Sequence, residues 1–212
     1  YTTLFRSQAH GARTRLIETT VEVNDRRKKA MAGRIAAALD GDLAGKTIAL
    51  LGLTFKPDTD DMRDAPALDI APALIEAGAT VRAYDPEGMS EAARLLPDVE
   101  MTAGSYEAAD GADAVVILTE WDPFRALDFD RLKMVMRQPV LVDLRNVYEP
   151  EIVRAQGFRY RAIGRGAEAN SQRVATPSEE GKSDTIPQKM EQADQQLRSQ
   201  MTRVGALQGI SA

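Results

Sequence analysis

The sequence contains no cysteine and a single histidine, His10. The chain therefore has no disulfide, no thiolate metal site, no cysteine nucleophile and no multi-histidine metal site. No apolar run approaches the roughly 20 residues of a membrane-spanning helix, and the N-terminus lacks a signal-peptide hydrophobic core. A net charge of −5 argues against nucleic acids and anionic membranes as partners, because both need a basic surface. We expect a soluble, cytoplasmic protein with one domain and appendages.

Both termini differ from the sequence between them. Residues 1–7 fit poorly with the rest of the chain, and one frame of a common sequencing-adapter oligonucleotide encodes the same peptide. We interpret them as a non-native leader, and a natural terminus is the alternative. Residues 166–212 contain no aromatic side chain and are rich in Gln, Ser, Glu and Ala. This composition predicts a disordered tail, because it offers too little apolar surface for a core.

Apolar residues at helical spacing predict a long helix from residue 14 to about residue 39. Such a helix needs something to pack on, either a partner subunit or another domain. His10 lies just before it, with no acid or base near it in sequence. We expect His10 at the surface rather than in a catalytic site.

Strand and helix patterns then alternate, which is typical of a parallel sheet covered by helices. The predicted strands are 47–51, 80–84, 99–101, 113–119, 140–144 and 158–163, and the predicted helices are 67–77, 90–96, a brief one from Ser105, 124–137 and 149–156. Continuous apolar character makes 113–119 a central strand, and 158–163 is the expected edge strand. Pro72 is expected to bend its helix or confine it to short turns.

The loop 52–66, between the first strand and its helix, carries Lys56 and Arg63 among four aspartates. In parallel α/β sheets, ligands bind at the carboxyl ends of the strands, where this loop begins. Arg145 follows a later strand, so it should lie at the same edge as Lys56 and favour an anionic ligand. The alternative for Lys56 and Arg63 is that they form surface ion pairs with the neighbouring aspartates. Trp121 follows the central strand and either lines a pocket or covers the end of the sheet.

The glycine fingerprint of dinucleotide-binding folds is absent, because no G-x-G-x-x-G follows a strand and Gly52 stands alone in the first loop. Asp85 ends the second strand, where such folds often place an acid that binds ribose. Without the glycine turn, Asp85 is as well explained as a cap of the turn at Pro86. Its role stays open at this point.

Several stretches together resemble the UDP-glucose/GDP-mannose dehydrogenase family over roughly residues 8–165. They are 23–28 (VNDRRK), 45–47 (GKT), 52–66 (GLTFKPDTDDMRDAP), 84–86 (YDP), 118–121 (LTEW), 143–146 (DLRN) and 163–165 (IGR). The loop 52–66 is the most specific of them. Residues 60–66 and 143–146 are similar to the UDP-glucose branch rather than to the GDP-mannose or UDP-N-acetylmannosamine branches.

The resemblance implies an α/β fold, with residues 8–40 as the end of a central dimerisation helix and residues 45–165 as a Rossmann-like UDP-binding domain. It implies that Phe55, Lys56 and Arg145 contact the UDP part of the substrate. It also implies that Arg63 reaches the NAD cofactor, which another domain of such enzymes holds. UDP-glucose is then the substrate, oxidised twice with two NAD molecules, and a second copy of the chain is the partner.

The resemblance also has a limit. Family members use a cysteine nucleophile, together with a lysine, an aspartate and a glycine-rich NAD site, and this chain has neither the cysteine nor the glycine fingerprint. The isolated chain is therefore expected to be inactive. The alternatives are a stand-alone nucleotide-sugar-binding or dimerisation module without chemistry, and a purely structural α/β domain.

Overall fold

Six strands form one parallel sheet in the computed structural model, which describes residues 14–165 together with residue 6 and residues 9–11. The strands are β1 (Thr47–Leu51), β2 (Thr80–Tyr84), β3 (Glu100–Met101), β4 (Ala114–Ile117), β5 (Val140–Asp143) and β6 (Arg159–Ala162). Their spatial order is β3-β2-β1-β4-β5-β6, and all neighbours are parallel. This is the strand order of the doubly wound Rossmann fold, so the predicted fold class is confirmed. The central position of β4 and the edge position of β6 are confirmed with it.

Seven helices are described in residues 14–165: α1 (Arg15–Ala38), α2 (Ala67–Glu76), α3 (Met89–Leu95), α4 (Ser105–Ala109), α5 (Asp122–Arg125), α6 (Phe129–Val135) and α7 (Pro150–Ala155). The single helix predicted over 124–137 is wrong. The Asp128 carboxylate accepts the Arg131 N–H at 3.0 Å and starts a new helix there, as N-cap residues do. Helix α2 continues through Pro72, so the expected short turns are wrong. Burial of Ile70 and Leu74 keeps this helix together.

Alternate residues along the strands contribute side chains to two separate hydrophobic cores, because successive side chains point to opposite faces of a sheet. On one face, Ile48 and Leu50 pack with residues of α1, α2 and α3. On the other face, Ala49 and Leu51 pack with residues of α4 to α7. The central strands β1 and β4 are buried on both faces, which explains their uninterrupted apolar sequence.

Helix α1 meets the sheet only with its second half. Its buried residues are Met31, Ile35 and Ala38, whereas Leu16 and Val23 in the first half are exposed. His10 is exposed, as predicted. Among the helices described, none is both long and apolar enough to cross a membrane. The predicted tail 166–212 and nearly all of the predicted leader 1–7 lie outside the described residues.

Because every strand is parallel, all their carboxyl ends lie at one edge of the sheet, the carboxyl edge, and the opposite edge is the amino edge. The segments that leave the carboxyl edge include the loop 52–66 after β1, residues 85–88 after β2, residues 118–121 after β4 and residues 144–149 after β5. The three strands that carry the predicted cations and Trp121 are β1, β4 and β5, and they are direct neighbours in the sheet. The fold therefore places the loops that carry Lys56, Trp121 and Arg145 at a common edge.

Candidate functional site at the carboxyl edge

The loop 52–66 is long but firmly anchored. Gly52 has a φ of +87°, and a Cβ atom there would lie 2.5 Å from Thr119 Cβ, so only glycine fits. Leu53, Met62 and Ala65 are buried, and the Phe55 N–H donates to the Asp61 carbonyl at 2.9 Å, which closes the tip of the loop. The polar side chains of the loop therefore stand on a backbone that packs into the core.

Asp85 ties this loop to two other segments of the carboxyl edge. Its carboxylate is fully buried, and Oδ2 accepts the N–H groups of Leu53 at 2.7 Å and Thr54 at 3.1 Å and the indole N–H of Trp121 at 3.1 Å. Oδ1 accepts the N–H groups of Glu87 at 3.0 Å and Gly88 at 2.7 Å. Asp85 is thus a turn cap, one of the two roles that the sequence leaves open, and it is already occupied by protein donors. Trp121 is only 5% exposed at the end of the sheet, and it also lines a hollow together with Asp60 and Glu87, so both roles considered for it are compatible with the structure.

Phe55 and Lys56 extend from this anchored loop toward solvent. The Phe55 side chain is exposed, which is unusual for a phenylalanine and leaves an aromatic face open at the edge. The Lys56 side chain is exposed as well. Within the part of the chain that the structure describes, no carboxylate forms an ion pair with Lys56. The surface ion pair considered for Lys56 is therefore not formed among these residues.

Arg63, in contrast, pairs with an aspartate of its own loop. Its Nη2 atom lies 2.7 Å from Asp61 Oδ2, and its Nε lies 3.0 Å from Asp61 Oδ1. These hydrogen bonds lower the pKa of Asp61 to about 2 and raise the pKa of Arg63. The Arg63 side chain is 89% exposed, so it points away from the sheet. For Arg63, the ion-pair alternative describes the structure, and this exposed pair contributes little to stability.

Arg145 lies at the carboxyl end of β5 and is held by Glu120 from the end of β4. The Arg145 Nη2 donates to Glu120 Oε1 at 2.7 Å, and its Nε donates to Glu120 Oε2, so the contact is bidentate. The hydrogen bond from Arg145 lowers the pKa of Glu120. Because the Arg145 side chain remains 36% exposed, its Nη1 donors can still meet a ligand.

A cavity of about 260 Å³ opens beside Arg145, between the carboxyl edge and α1. Its ionisable lining residues are all basic: Arg27 and Lys28 on α1, and Arg145. An adjoining cavity of about 340 Å³ shares Leu144 and Ile163 with it and is lined by Arg34, Arg161 and Arg165. Lys28, Arg145 and Arg165 pair with Asp69, Glu120 and Glu149 outside the two linings. The ionisable lining residues themselves are basic in a chain of net charge −5, which suits an anionic ligand.

Backbone strain is also concentrated at this edge. Of the four described non-glycine residues with positive φ, Asp58, Asp64 and Asn146 lie in the loops after β1 and β5, and Asp40 lies elsewhere. Aspartate and asparagine tolerate this left-handed conformation better than other side chains, but it still costs energy. Such conformations cluster at binding sites, where the surrounding structure holds them in place.

The structure thus brings Lys56 and Arg145 to the same edge, on strands separated only by β4, which corresponds to about 10 Å between the strand ends. It directs Arg63 to a separate hollow, lined by Thr59, Asp60 and Glu91. The sequence reasoning missed Glu120 as the partner of Arg145 and Asp143 as a buried acceptor beneath the same turn. An aspartate that ends an otherwise apolar strand was an available signal for Asp143, because it commonly caps the adjoining turn.

Comparison with known proteins gives the family of the segment that contains this edge. Residues 49–150 match the profile of the UDP-glucose/GDP-mannose dehydrogenase family, UDP binding domain. Residues 49–150 belong to that family. The match includes the loop 52–66, Asp85, Glu120, Asp143 and Arg145. The recognition made from the sequence is confirmed.

Relatives extend the similarity to about three quarters of the chain. The chain is 57% identical over 159 residues to the UDP-glucose 6-dehydrogenase of Rhizobium meliloti, which covers 75% of this chain and 36% of that protein. It is 40% identical over 154 residues to UDP-glucose 6-dehydrogenase TuaD of Bacillus subtilis, covering 72% of this chain and 33% of the relative. The chain therefore spans about a third of the length of these relatives.

Solved structures share the fold. A UDP-glucose dehydrogenase from Pyrobaculum islandicum superposes with a TM-score of 0.60 at 26% identity, covering 75% of this chain and 34% of that structure. An NDP-N-acetyl-D-galactosaminuronic acid dehydrogenase from Methanosarcina mazei gives a TM-score of 0.61 at 34% identity, covering 68% of this chain and 30% of that structure. The structural neighbours therefore include dehydrogenases named for different sugars.

Proposed function

We propose that this chain is the UDP-binding part of an NAD-dependent UDP-glucose 6-dehydrogenase, which oxidises UDP-glucose to UDP-glucuronate. The observation that carries the proposal is the pair of cations at the carboxyl edge. Lys56 is exposed and has no carboxylate partner among the described residues, and Arg145 keeps donors available beside a basic cavity. Arginine and lysine in this setting suit a diphosphate, because its negative charge attracts both and its paired oxygens accept bidentate hydrogen bonds from arginine.

Each predicted residue then has a physical task in binding UDP. Lys56 and Arg145 neutralise the diphosphate from two loops of the same edge. The exposed ring of Phe55 packs against the uracil or the ribose, since an aromatic face can stack on any base. Arg63 turns toward the nicotinamide cofactor in the complete enzyme, and this requires it to exchange its exposed Asp61 contact for the cofactor.

UDP-glucose is the proposed sugar nucleotide because the relatives identified by sequence similarity are UDP-glucose 6-dehydrogenases. The sugar specificity itself depends on residues outside this chain, since the same fold occurs in a dehydrogenase named for an N-acetylgalactosaminuronic acid. NAD is the proposed cofactor, held mainly outside this chain. A second copy of the chain is the proposed partner, packing on the exposed first half of α1, where Leu16 and Val23 lie open. The cytoplasmic location stays a prediction.

Titration calorimetry with UDP tests this proposal directly. The chain should bind UDP with a Kd between about 1 μM and 1 mM. Lys56→Ala and Arg145→Ala should each weaken binding by at least about tenfold, because a charge-assisted hydrogen bond is worth about 1.5–3 kcal/mol. Binding should also weaken as salt rises, since part of it is electrostatic.

Lys133→Ala is the matched control, because Lys133 is a lysine on α6 that pairs with Asp130 at 2.8 Å, away from the predicted binding residues. It should leave UDP binding unchanged. A folded chain that binds no uridine nucleotide would overturn the proposal and leave a structural domain. UDP binding by a protein whose complete reading frame holds no further domain would favour the stand-alone binding module.

A further inference from the structure

Asp143, at the end of β5, is a buried carboxylate whose three partners are uncharged donors. Its Oδ1 accepts the Arg145 N–H at 3.0 Å, and its Oδ2 accepts the Tyr148 N–H at 3.0 Å and the Tyr160 hydroxyl at 2.8 Å. The residue is completely buried. Burying a charge is costly unless it is well hydrogen-bonded, so a carboxylate at this place needs an explanation beyond packing.

The three donors wrap the segment 144–148 around the carboxylate. Asn146, in the middle of this turn, has a φ of +56°, a conformation that needs support from its surroundings. Tyr148 closes the turn, because its ring packs against Phe129 at 5.1 Å between centroids and its hydroxyl donates to the Phe124 carbonyl. Arg145 therefore lies in a turn that is held by the Asp143 carboxylate and, at its C-terminal end, by Tyr148.

An aspartate suits this position better than an asparagine. Three donors converge on two oxygens, and only an ionised carboxylate accepts on both sides. The Tyr160 phenol is protonated at neutral pH and donates to Asp143, and burial together with this hydrogen bond raises its pKa further. In Asp143→Asn, an NH₂ group would replace one carboxylate oxygen. This donor would then face at least one of the N–H or O–H donors that the carboxylate accepts.

We propose that Asp143 is a positioning residue for ligand binding, which fixes the backbone of Arg145 so that its guanidinium is oriented before a diphosphate arrives. This inference rests on the proposed function, because it assigns Arg145 to the diphosphate. Glu120 restrains the guanidinium end of the same side chain, so Arg145 is held at both ends. Preorganisation of this kind improves affinity, because little side-chain freedom remains to be lost on binding.

The test compares Asp143→Asn with Asp113→Asn. Asp113 is a matched control because it is also buried but lies at the amino edge, where it accepts the Thr47 N–H at 2.9 Å and pairs with Arg137. Calorimetry with UDP on the full chain should show about tenfold weaker binding for Asp143→Asn and unchanged binding for Asp113→Asn. Tyr160→Phe, which removes one of the three donors, should weaken binding about two- to threefold.

A double-mutant cycle with Arg145→Ala separates positioning from general destabilisation. If Asp143 acts through Arg145, Asp143→Asn should cause no further loss of UDP affinity once Arg145 is alanine, whereas Lys56→Ala should still cause its full loss. Hydrogen exchange of residues 144–148 should accelerate in Asp143→Asn even without UDP. This measurement follows the turn independently of the ligand.

Four results would count against the inference. Unchanged UDP affinity of folded Asp143→Asn, despite faster exchange of residues 144–148, would overturn the positioning role and leave the proposed function standing. A loss that is the same with and without Arg145 would overturn it too, because Asp143 would then act elsewhere. If Asp143→Asn does not fold, Tyr160→Phe takes its place in the test. A folded Tyr160→Phe variant with faster hydrogen exchange of residues 144–148 but full UDP affinity would also overturn the positioning role. Absence of UDP binding by the unmodified chain would overturn the proposed function and the inference together.

Discussion

The two edges of the sheet both contain buried aspartates, but they use them differently. At the amino edge, Asp113 lies 2.9 Å from the Arg137 guanidinium and 3.9 Å from the Lys46 ammonium, so its carboxylate takes up the nearby cations. At the carboxyl edge, Asp85 and Asp143 accept hydrogen bonds from uncharged N–H and O–H groups. Of the cations of that edge, Lys56 forms no ion pair among the described residues, and Arg145 pairs with Glu120 but keeps its Nη1 donors available.

This difference shows how one residue type can serve either stability or binding. An aspartate that pairs with cations neutralises part of their positive charge and makes it less available to a ligand. An aspartate that binds backbone N–H groups shapes loops instead, and cations on those loops stay exposed. We infer that the buried aspartates of the carboxyl edge do not compete with a ligand for its cations, because uncharged donors satisfy them.

We expect the largest loss of stability when a buried aspartate is removed, and the loss should differ between the carboxyl edge and the amino edge. Asp85→Ala would leave four buried backbone N–H groups and the Trp121 indole N–H without an acceptor. We therefore expect a loss of about 4 kcal/mol in the free energy of unfolding. Asp113→Ala should cost about 2 kcal/mol, because the half-exposed Arg137 can turn to water. Urea denaturation of both variants measures these values.

Asp85→Asn sharpens this comparison. The amide oxygen can still accept on one side, so a loss between zero and that of Asp85→Ala is expected. Equal losses for Asp85→Ala and Asp113→Ala would remove the distinction between the two edges. UDP affinity should fall in Asp85→Ala even where the protein remains folded, because the loop that carries Lys56 is no longer anchored.

The sequence was sufficient to predict the sheet because its strands are short apolar runs bounded by turn residues. β1 and β2 have the predicted bounds, and the other strands differ by one or two residues at an end. The break between α5 and α6 was missed because apolar spacing continues across it, while the decisive contact is a side-chain cap by Asp128. Local patterns therefore predicted the elements better than their boundaries.

The site was only partly predictable. The rule that parallel strands end at one edge was enough to place Lys56 and Arg145 together. The partner of Arg145 was not predictable from spacing, since Glu120 is 25 residues away in sequence, and the Trp121 indole meets Asp85 across 36 residues. Such contacts depend on which strands become neighbours, and only the folded sheet determines that.

The next largest loss of stability is expected from replacing two glycines, one at each edge of the sheet. Gly52→Ala, at the carboxyl edge, combines a φ of +87° with a Cβ only 2.5 Å from Thr119 Cβ. We expect it to lower the free energy of unfolding by about 3 kcal/mol, through strain and overpacking together. Gly45→Ala, at the amino edge, has a φ of +68° but open space around its Cβ, and should cost only about 1 kcal/mol. Thermal or urea unfolding of both variants gives the comparison.

The smallest effect is a change in the alkaline dependence of stability. Burial raises the pKa of Tyr148 to about 12, and burial together with Asp143 raises the pKa of Tyr160. Both phenols keep their protons in the folded chain at a pH where the unfolded chain loses them, near pH 10. Their contribution to the free energy of unfolding is therefore complete below about pH 10. It is lost as the pH rises toward the pKa values of the folded chain, with a slope of at most about 1.4 kcal/mol per pH unit for each group.

Tyr160→Phe should therefore flatten the fall in unfolding free energy between about pH 10 and pH 11.5, because one of the two titrating phenols is gone. Urea denaturation at a series of pH values in this range measures the slope. Asp113→Asn, at the amino edge, should leave that slope as it is. A slope unchanged in Tyr160→Phe would mean that Tyr160 titrates alike in both states, and that its bond to Asp143 contributes little to the carboxyl edge.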